Sequence, residues 1–384
     1  MRSPRATGAT LLLCLAAAQA ALLVLTPVLA PMASALGVST AMAGQLRTVS
    51  GLAAGVTALL MGLVAARFGL RRLLGAGLLV VAAGSALSAL APDFALLALA
   101  QLLIGVGIGL SYSAGIAAVA EWSAPGERSR VLGIALLGPP LAWVVGMPLA
   151  GVAGDVSWRL AWIVAPLVLA LAAFAALRGQ PGSPPAASRA DLGRVLRHPG
   201  VLRWSLGELL AYSGWAGALV FVGALFIEAY DLSVASTGLV LGVGALVYLP
   251  GNMLFRRLVD AHERTLLAGL ALSAAVAVTV LGVSRPTVWF SLLVFSVLSF
   301  IAGGRTLAGS SRGLSLAPEL RLGVTGVRTA AIQLGYFVGA AVGGAALAVG
   351  GYPALGLALG CLFAAAAVPH LRAGATDDPS APLP

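Results

Sequence analysis

The 384-residue chain has no lysine, two cysteines and three histidines, and only 9% of its residues carry charge. A soluble domain carries about 25% charged residues, so this composition, with 60% hydrophobic residues and a mean hydropathy of +1.00, excludes one. Cys14 and Cys361 lie in apolar runs at opposite ends of the chain, which excludes a disulfide framework and a cysteine metal site. His198, His262 and His370 fall in turns or at a helix end. No Ser/His/Asp set converges, no H-E-x-x-H pair occurs and no phosphate loop is present. The run Gly105-Val-Gly107-Ile-Gly109 follows no strand and reads as helix packing. The chain therefore reads as no enzyme, with no cofactor, no metal and no ATP site.

What the chain does have is long apolar runs separated by arginine. The net charge of +10 would suit a nucleic acid, but most of the 23 basic residues fall in the termini or in turns between the runs. Arg47, Arg159 and Arg285 stand at or near the opposite ends of those runs, and Arg305 lies inside one. This is the pattern that orients helices in a bilayer, with arginine turns cytoplasmic. The expected partner is thus a lipid bilayer and not a nucleic acid. The absence of lysine reads as codon composition.

Hydropathy and turn residues predict twelve crossings, at 9–31, 45–66, 73–91, 94–120, 131–153, 159–177, 202–227, 233–255, 265–284, 287–314, 325–349 and 352–371. An even number puts both termini on the cytoplasmic side. The run from Ala9 to Pro31 exceeds a signal-peptide core, so it reads as an uncleaved first helix. Residues 178–200 form the one long polar linker, and its later part, with Arg189, Arg194 and Arg197, suits a short helix on the inner leaflet. The expected division is a six-helix bundle over 1–177, a cytoplasmic linker over 178–200, a second bundle over 201–372 and a disordered tail over 373–384.

A fixed sequence offset pairs Pro125 with Pro318, Arg128 with Arg321, Gly133 with Gly326, Gly146 with Gly339 and Gly151 with Gly344. Five matches in register imply two parallel six-helix repeats. Pro139, Pro140 and Pro148 each remove a backbone donor, so the fifth span should bend.

The hinge Gly62-Leu-Val-Ala-Ala-Arg67-Phe-Gly69-Leu-Arg71-Arg72 resembles the loop between the second and third helices of the major facilitator superfamily, with Ala66 where the family pattern has an acid. Gly146-Met-Pro148-Leu-Ala-Gly151, followed by Asp155 and Trp158-Arg159, is similar to a fifth-helix pattern of bacterial facilitator exporters, including arabinose-efflux and chloramphenicol-resistance-like members. The resemblance implies an all-α membrane protein with twelve transmembrane helices in two pseudo-symmetric six-helix bundles. It implies that Gly146, Pro148, Gly151, Gly339 and Gly344 pack helices closely, and that the first, fourth, seventh and tenth helices line a cavity.

Ionisable groups in a helix centre cost about 2.5–3.5 kcal/mol on insertion scales, so each needs a reason. Arg305, mid-way along the tenth span, is a candidate for substrate or for a buried carboxylate. Glu208, the only acid well inside a span, shares one face of the seventh helix with Tyr212 and Trp215. That stripe suits an amphipathic or cationic ligand or a proton site; alternatively Glu208 pairs with an arginine such as Arg203. Arg47 either snorkels to the surface or meets substrate. Gln101, Gly105 and Tyr112 share a face of the fourth span, and Gln19 sits in the first. In drug–proton antiporters of the superfamily an arginine stands at the position of Gln101, and the first span here has no acid.

These features predict a secondary active transporter that exports a small organic molecule by alternating access, as a monomer in the cytoplasmic membrane. Protons are the expected coupling ion, with Glu208 as carrier. The rival reading is a membrane-embedded sensor or scaffold that keeps the fold without transport.

Overall fold

The computed structural model describes residues 3–65, 67–182, 195, 197–316 and 321–371, and no strand occurs among them. The helices of the first half are α1 (Pro4–Leu23), α2 (Leu25–Ala35), α3 (Thr40–Ala65), α4 (Leu70–Leu90), α5 (Phe94–Trp122), α6 (Arg128–Ala135), α7 (Gly138–Val144), α8 (Gly146–Val156), α9 (Trp158–Trp162) and α10 (Val168–Leu177). Those of the second are α11 (Pro199–Tyr230), α12 (Val234–Leu254), α13 (Arg256–Val283), α14 (Val288–Leu316) and α15 (Arg321–Leu371). Ten stretches of the described residues are long and apolar enough to cross a bilayer. The chain is an all-α, multi-pass membrane protein. A count of twelve needs α3, with its 26 residues, and a division of α15.

The backbone offers that division. Gly350 and Gly351 leave helical geometry, and Gly351 takes φ +63°, which glycine adopts without a Cβ penalty. Along α11, Tyr212 and Gly217 lie against Gly335 and Gly339, while Gly207, Gly214 and Gly217 lie against His370, Phe363 and Leu359. The first set ascends and the second descends, so the two arms of α15 form a hairpin.

Three spans are broken, and one rule accounts for all three. A proline at position i lacks the N–H that would bond the carbonyl of i−4, so the helix yields just before it. Pro27 leaves Leu23 without its donor, and α1 stops there. Pro139, Pro140 and Pro148 follow directly on the breaks at Leu136–Leu137 and Val145 in the fifth span, which bends as the sequence predicts. Pro166 lies inside a π-turn, Ile163–Leu167, between α9 and α10.

The chain forms two compact units, one of Met1–Arg189 with Leu219–Ala245, the other of Ala190–Ala218 with Leu246–Pro384. In the first, α5 lies between α3 and α4. A Cβ on Gly105 would run into the Ser50 carbonyl, and one on Gly107 would lie 2.7 Å from the Gly77 carbonyl. Small residues thus let backbones touch where lipid supplies no hydrophobic drive for helix association. At one end of this unit the buried Gln180 donates to Thr10 Oγ1 over 2.9 Å, and its carbonyl accepts from Arg71 Nη1 over 2.9 Å. Those bonds hold the end of α10 to the hinge and to α1. At the other end Asp155 Oδ1 accepts from the Val234 and Ala235 amides (3.0 and 3.3 Å), and Thr40 Oγ1 donates to Glu228 Oε1 over 2.5 Å. Gly151 lies against Gly238 beside the Asp155 contact, a Cβ there meeting Gly238 Cα at 2.8 Å.

Of the sequence features, Ala66, Pro318, the 373–384 tail and most of the 178–200 linker lie outside the described residues.

Candidate functional site

The second unit buries a charge cluster contributed by three helices. Glu208 on α11 is 0% exposed, Arg305 on α14 is 4% exposed and Arg328 on α15 is 19% exposed. Arg305 Nη1 donates to Glu208 Oε1 over 2.9 Å, and Arg328 Nε donates to Glu208 Oε2 over 3.1 Å. The carboxylate is therefore shared, one oxygen to each guanidinium. Arg305 Nη2 also donates to the Gly207 carbonyl over 2.9 Å. Arg328 Nη2 donates to Tyr212 Oη (3.4 Å) and to the Thr306 carbonyl (3.2 Å). Tyr212 Oη and Thr306 Oγ1 are 3.1 Å apart.

Local sequence explains the placement. Glu208 and Tyr212 are one helical turn apart on α11, so both meet the Arg328 side chain. Gly309 faces Glu208, and a Cβ there would collide with the carboxylate. The same residue's carbonyl accepts from Trp204 Nε1 over 3.0 Å. A small residue one turn beyond Arg305 thus makes room for the acid that Arg305 binds.

The cluster carries two guanidinium charges against one carboxylate. A lone buried cation is costly, and a buried pair stays favourable only while its remaining hydrogen-bonding capacity is met. Arg305 Nε has no hydrogen-bond partner among the described residues. Among the described residues the cluster is thus one anion, or one set of acceptors, short of balance.

Trp215, next along the α11 stripe, is packed and not open. Its ring stacks on Tyr248 of α12 (centroids 6.3 Å, 22° between planes) and on Phe295 of α14 (6.4 Å, 11°). A cavity of 10 Å³ lies between Tyr212, Trp215, Arg305, Thr306 and Phe363, room for about one water.

The candidates of the first unit do not assemble into one site. Tyr112 donates to Gln19, joining α5 to α1. Gln101 Nε2 donates to Ser88 Oγ of α4 over 3.3 Å, while its Oε1 lacks a partner among the described residues. Gly105 faces α3. The three positions expected on one face of α5 therefore meet three different helices. Arg47 is 2% exposed and donates to Ser50 Oγ over 3.3 Å, so it does not snorkel. Arg159, at a helix end as expected, donates to the Ala91 carbonyl over 2.8 Å and lies 4.2 Å from the Trp158 ring.

Sequence reasoning pairs Arg305 with an unspecified carboxylate and passes over Arg328. Arg328 sits near the end of an apolar run that arginine-rich sequence precedes, so it reads as part of the turn. The available signal is position: it falls inside the stretch Gly323–Leu371 that is apolar enough to cross a membrane.

The family model of the Major Facilitator Superfamily matches residues 11–261 and 204–383. The chain is 25% identical over 328 residues to the purine ribonucleoside efflux pump NepI of Shigella sonnei, a match covering 83% of this chain and 81% of that one. Its fold is similar to that of a bacterial homologue of the human lysosomal transporter Spinster, in an inward-facing and occupied conformation, with TM-score 0.77, 15% identity and coverage of 97% and 96%. It is similar also to that of a D-xylose–proton symporter, with TM-score 0.75, 15% identity and coverage of 95% and 96%.

Proposed function

The chain belongs to the Major Facilitator Superfamily and is a membrane transporter, not an enzyme, and on that premise we propose that it is a secondary active exporter of a small organic molecule, coupled to protons. The observation that carries the reading is the shared carboxylate: Glu208 bonded to both Arg305 and Arg328 inside the membrane span.

A carboxylate offers about four lone-pair sites, and the arginines occupy two. Hydroxyl or N–H donors of a substrate take the remaining sites, while its carbonyl, ring nitrogen or acidic group meets the surplus guanidinium charge. A proton on Glu208 turns one acceptor into a donor and breaks its arginine bond. Proton and substrate thereby compete for one group, which is the logic of antiport. The one-water cavity beside the cluster has to widen before a substrate enters; a planar, hydrogen-bonding molecule then suits its donors and acceptors, and a purine ribonucleoside, the molecule named for the S. sonnei relative, is of that kind.

Alternating access is the mechanism we propose. The helix ends tied by Asp155 to Val234 and by Thr40 to Glu228 lie opposite the arginine-rich hinge, and opening on that side requires those bonds to part. With arginine turns inside, the termini are cytoplasmic and the tied ends face outward. Twelve crossings, in two six-helix bundles joined by the 178–200 linker, complete the arrangement.

Inside-out vesicles containing the full chain test the coupling. Uptake of purine ribonucleosides is expected with an inward-acidic gradient and is lost when the gradient is collapsed; uptake that ignores the gradient sinks proton coupling.

A further inference from the structure

The first unit carries a groove unrelated to the buried charge cluster. It lies between the start of α4 and the end of α10 and encloses about 410 Å³, within the range of clefts that hold small ligands. Its floor is apolar, formed by Ala76 and Leu79 on α4 and by Phe174 on α10, and its rim holds Arg71, Arg72 and Arg178. Among the described residues no acid lines it.

The rim is organised to hold an anion. Arg71 is anchored through its bond to the Gln180 carbonyl, and Arg178 lies 5.4 Å from the Phe174 ring. Arg72 and Arg178 are exposed. The first turn of α4 adds to this, because Gly69 provides no side-chain cap and no acid stands in that turn. The helix dipole favours a negative group at the place where the guanidiniums gather. Ala76 and Leu79 on the floor are exposed, so the groove opens onto the outer surface of α4.

Phosphate-binding charge above an open apolar channel at a membrane surface matches one chemistry. We propose that this groove binds an anionic phospholipid of the phosphatidylglycerol type, its phosphate on Arg71, Arg72 and Arg178 and an acyl chain along Ala76, Leu79 and Phe174. The charge provides the preference for an anionic headgroup, and the channel distinguishes a lipid from a free anion. Basic residues at an anionic membrane surface contribute about fivefold in affinity each.

Native mass spectrometry of the full chain in detergent tests this, with phosphatidylglycerol and phosphatidylcholine of identical acyl chains as probes. Phosphatidylglycerol adducts are expected to dominate. Arg72→Gln with Arg178→Gln, which leaves the Arg71 anchor intact, should weaken phosphatidylglycerol binding about 25-fold and phosphatidylcholine binding little. Ala76→Trp, which fills the channel and keeps every charge, should weaken both. Equal binding of the two lipids, undiminished phosphatidylglycerol binding in the double variant, or full displacement by millimolar inorganic phosphate would each overturn the proposal.

Discussion

Arg328 donates its Nε proton to Glu208 Oε2 across 120 residues of sequence, and in doing so makes Glu208 the acid of two arginines and not of one. That stoichiometry sets what substitutions at the cluster should do.

Glu208→Gln should abolish proton-dependent transport and lower thermal stability in detergent, since it strands two buried cations. Breaking a buried pair from one side costs about 3–5 kcal/mol. Adding Arg328→Gln should recover part of that stability, because one stranded charge goes with it. Strictly additive losses in the double variant would show that the two side chains are not coupled.

Arg328→Lys should fail despite keeping the charge. The guanidinium meets Glu208, Tyr212 and the Thr306 carbonyl at once, and a compact ammonium cannot span all three. Transport by membranes of equal protein content should fall at least about tenfold, a threshold that corresponds to 1.4 kcal/mol of transition-state stabilisation. Native-like flux from the lysine variant would remove Arg328 from the site.

Glycines paired by the sequence repeat should behave oppositely according to what surrounds them. Gly339→Ala forces a Cβ into the Ser213 carbonyl and should lower the melting temperature. Gly133→Ala and Gly326→Ala meet open space and should be neutral or stabilising by up to about 1 kcal/mol, the intrinsic helix preference for alanine. A destabilised Gly133→Ala protein would contradict the open space beside that residue.

Asp155→Ala removes the acceptor that caps α12, a loss of about 1 kcal/mol. Under alternating access it should also raise the population open at that end. Thr237 is buried, so labelling of Thr237→Cys by a water-soluble maleimide should then quicken severalfold in the Asp155→Ala background. Unchanged labelling would mean that the bond caps a helix and gates nothing.

Much of this was legible without coordinates, for reasons that differ by feature. Bilayer crossings announce themselves because hydrocarbon tolerates only long apolar helices, and prolines at 139, 140 and 148 mark the bend of the fifth span through missing donors, whereas the breaks at Pro27 and Pro166 went unread. Arg305 and Glu208 stand out singly because charge inside an apolar run demands a cause. Their partnership was not legible, since they are 97 residues apart and nothing local aligns α11 with α14. Arg328 was hidden for the opposite reason, lying close enough to an arginine-rich turn to look solvated. The face shared by Gln101, Gly105 and Tyr112 dissolved because a helix surrounded by neighbours presents one stripe to several of them in turn.

The seat of Gln180 has a practical corollary. Strapping the chain's exit from α10 to Thr10 and Arg71 makes the first turns of α1 part of what closes that end of the first unit. A chain shortened past Thr10 would leave the Gln180 amide without its acceptor, so truncations should stop ahead of that residue.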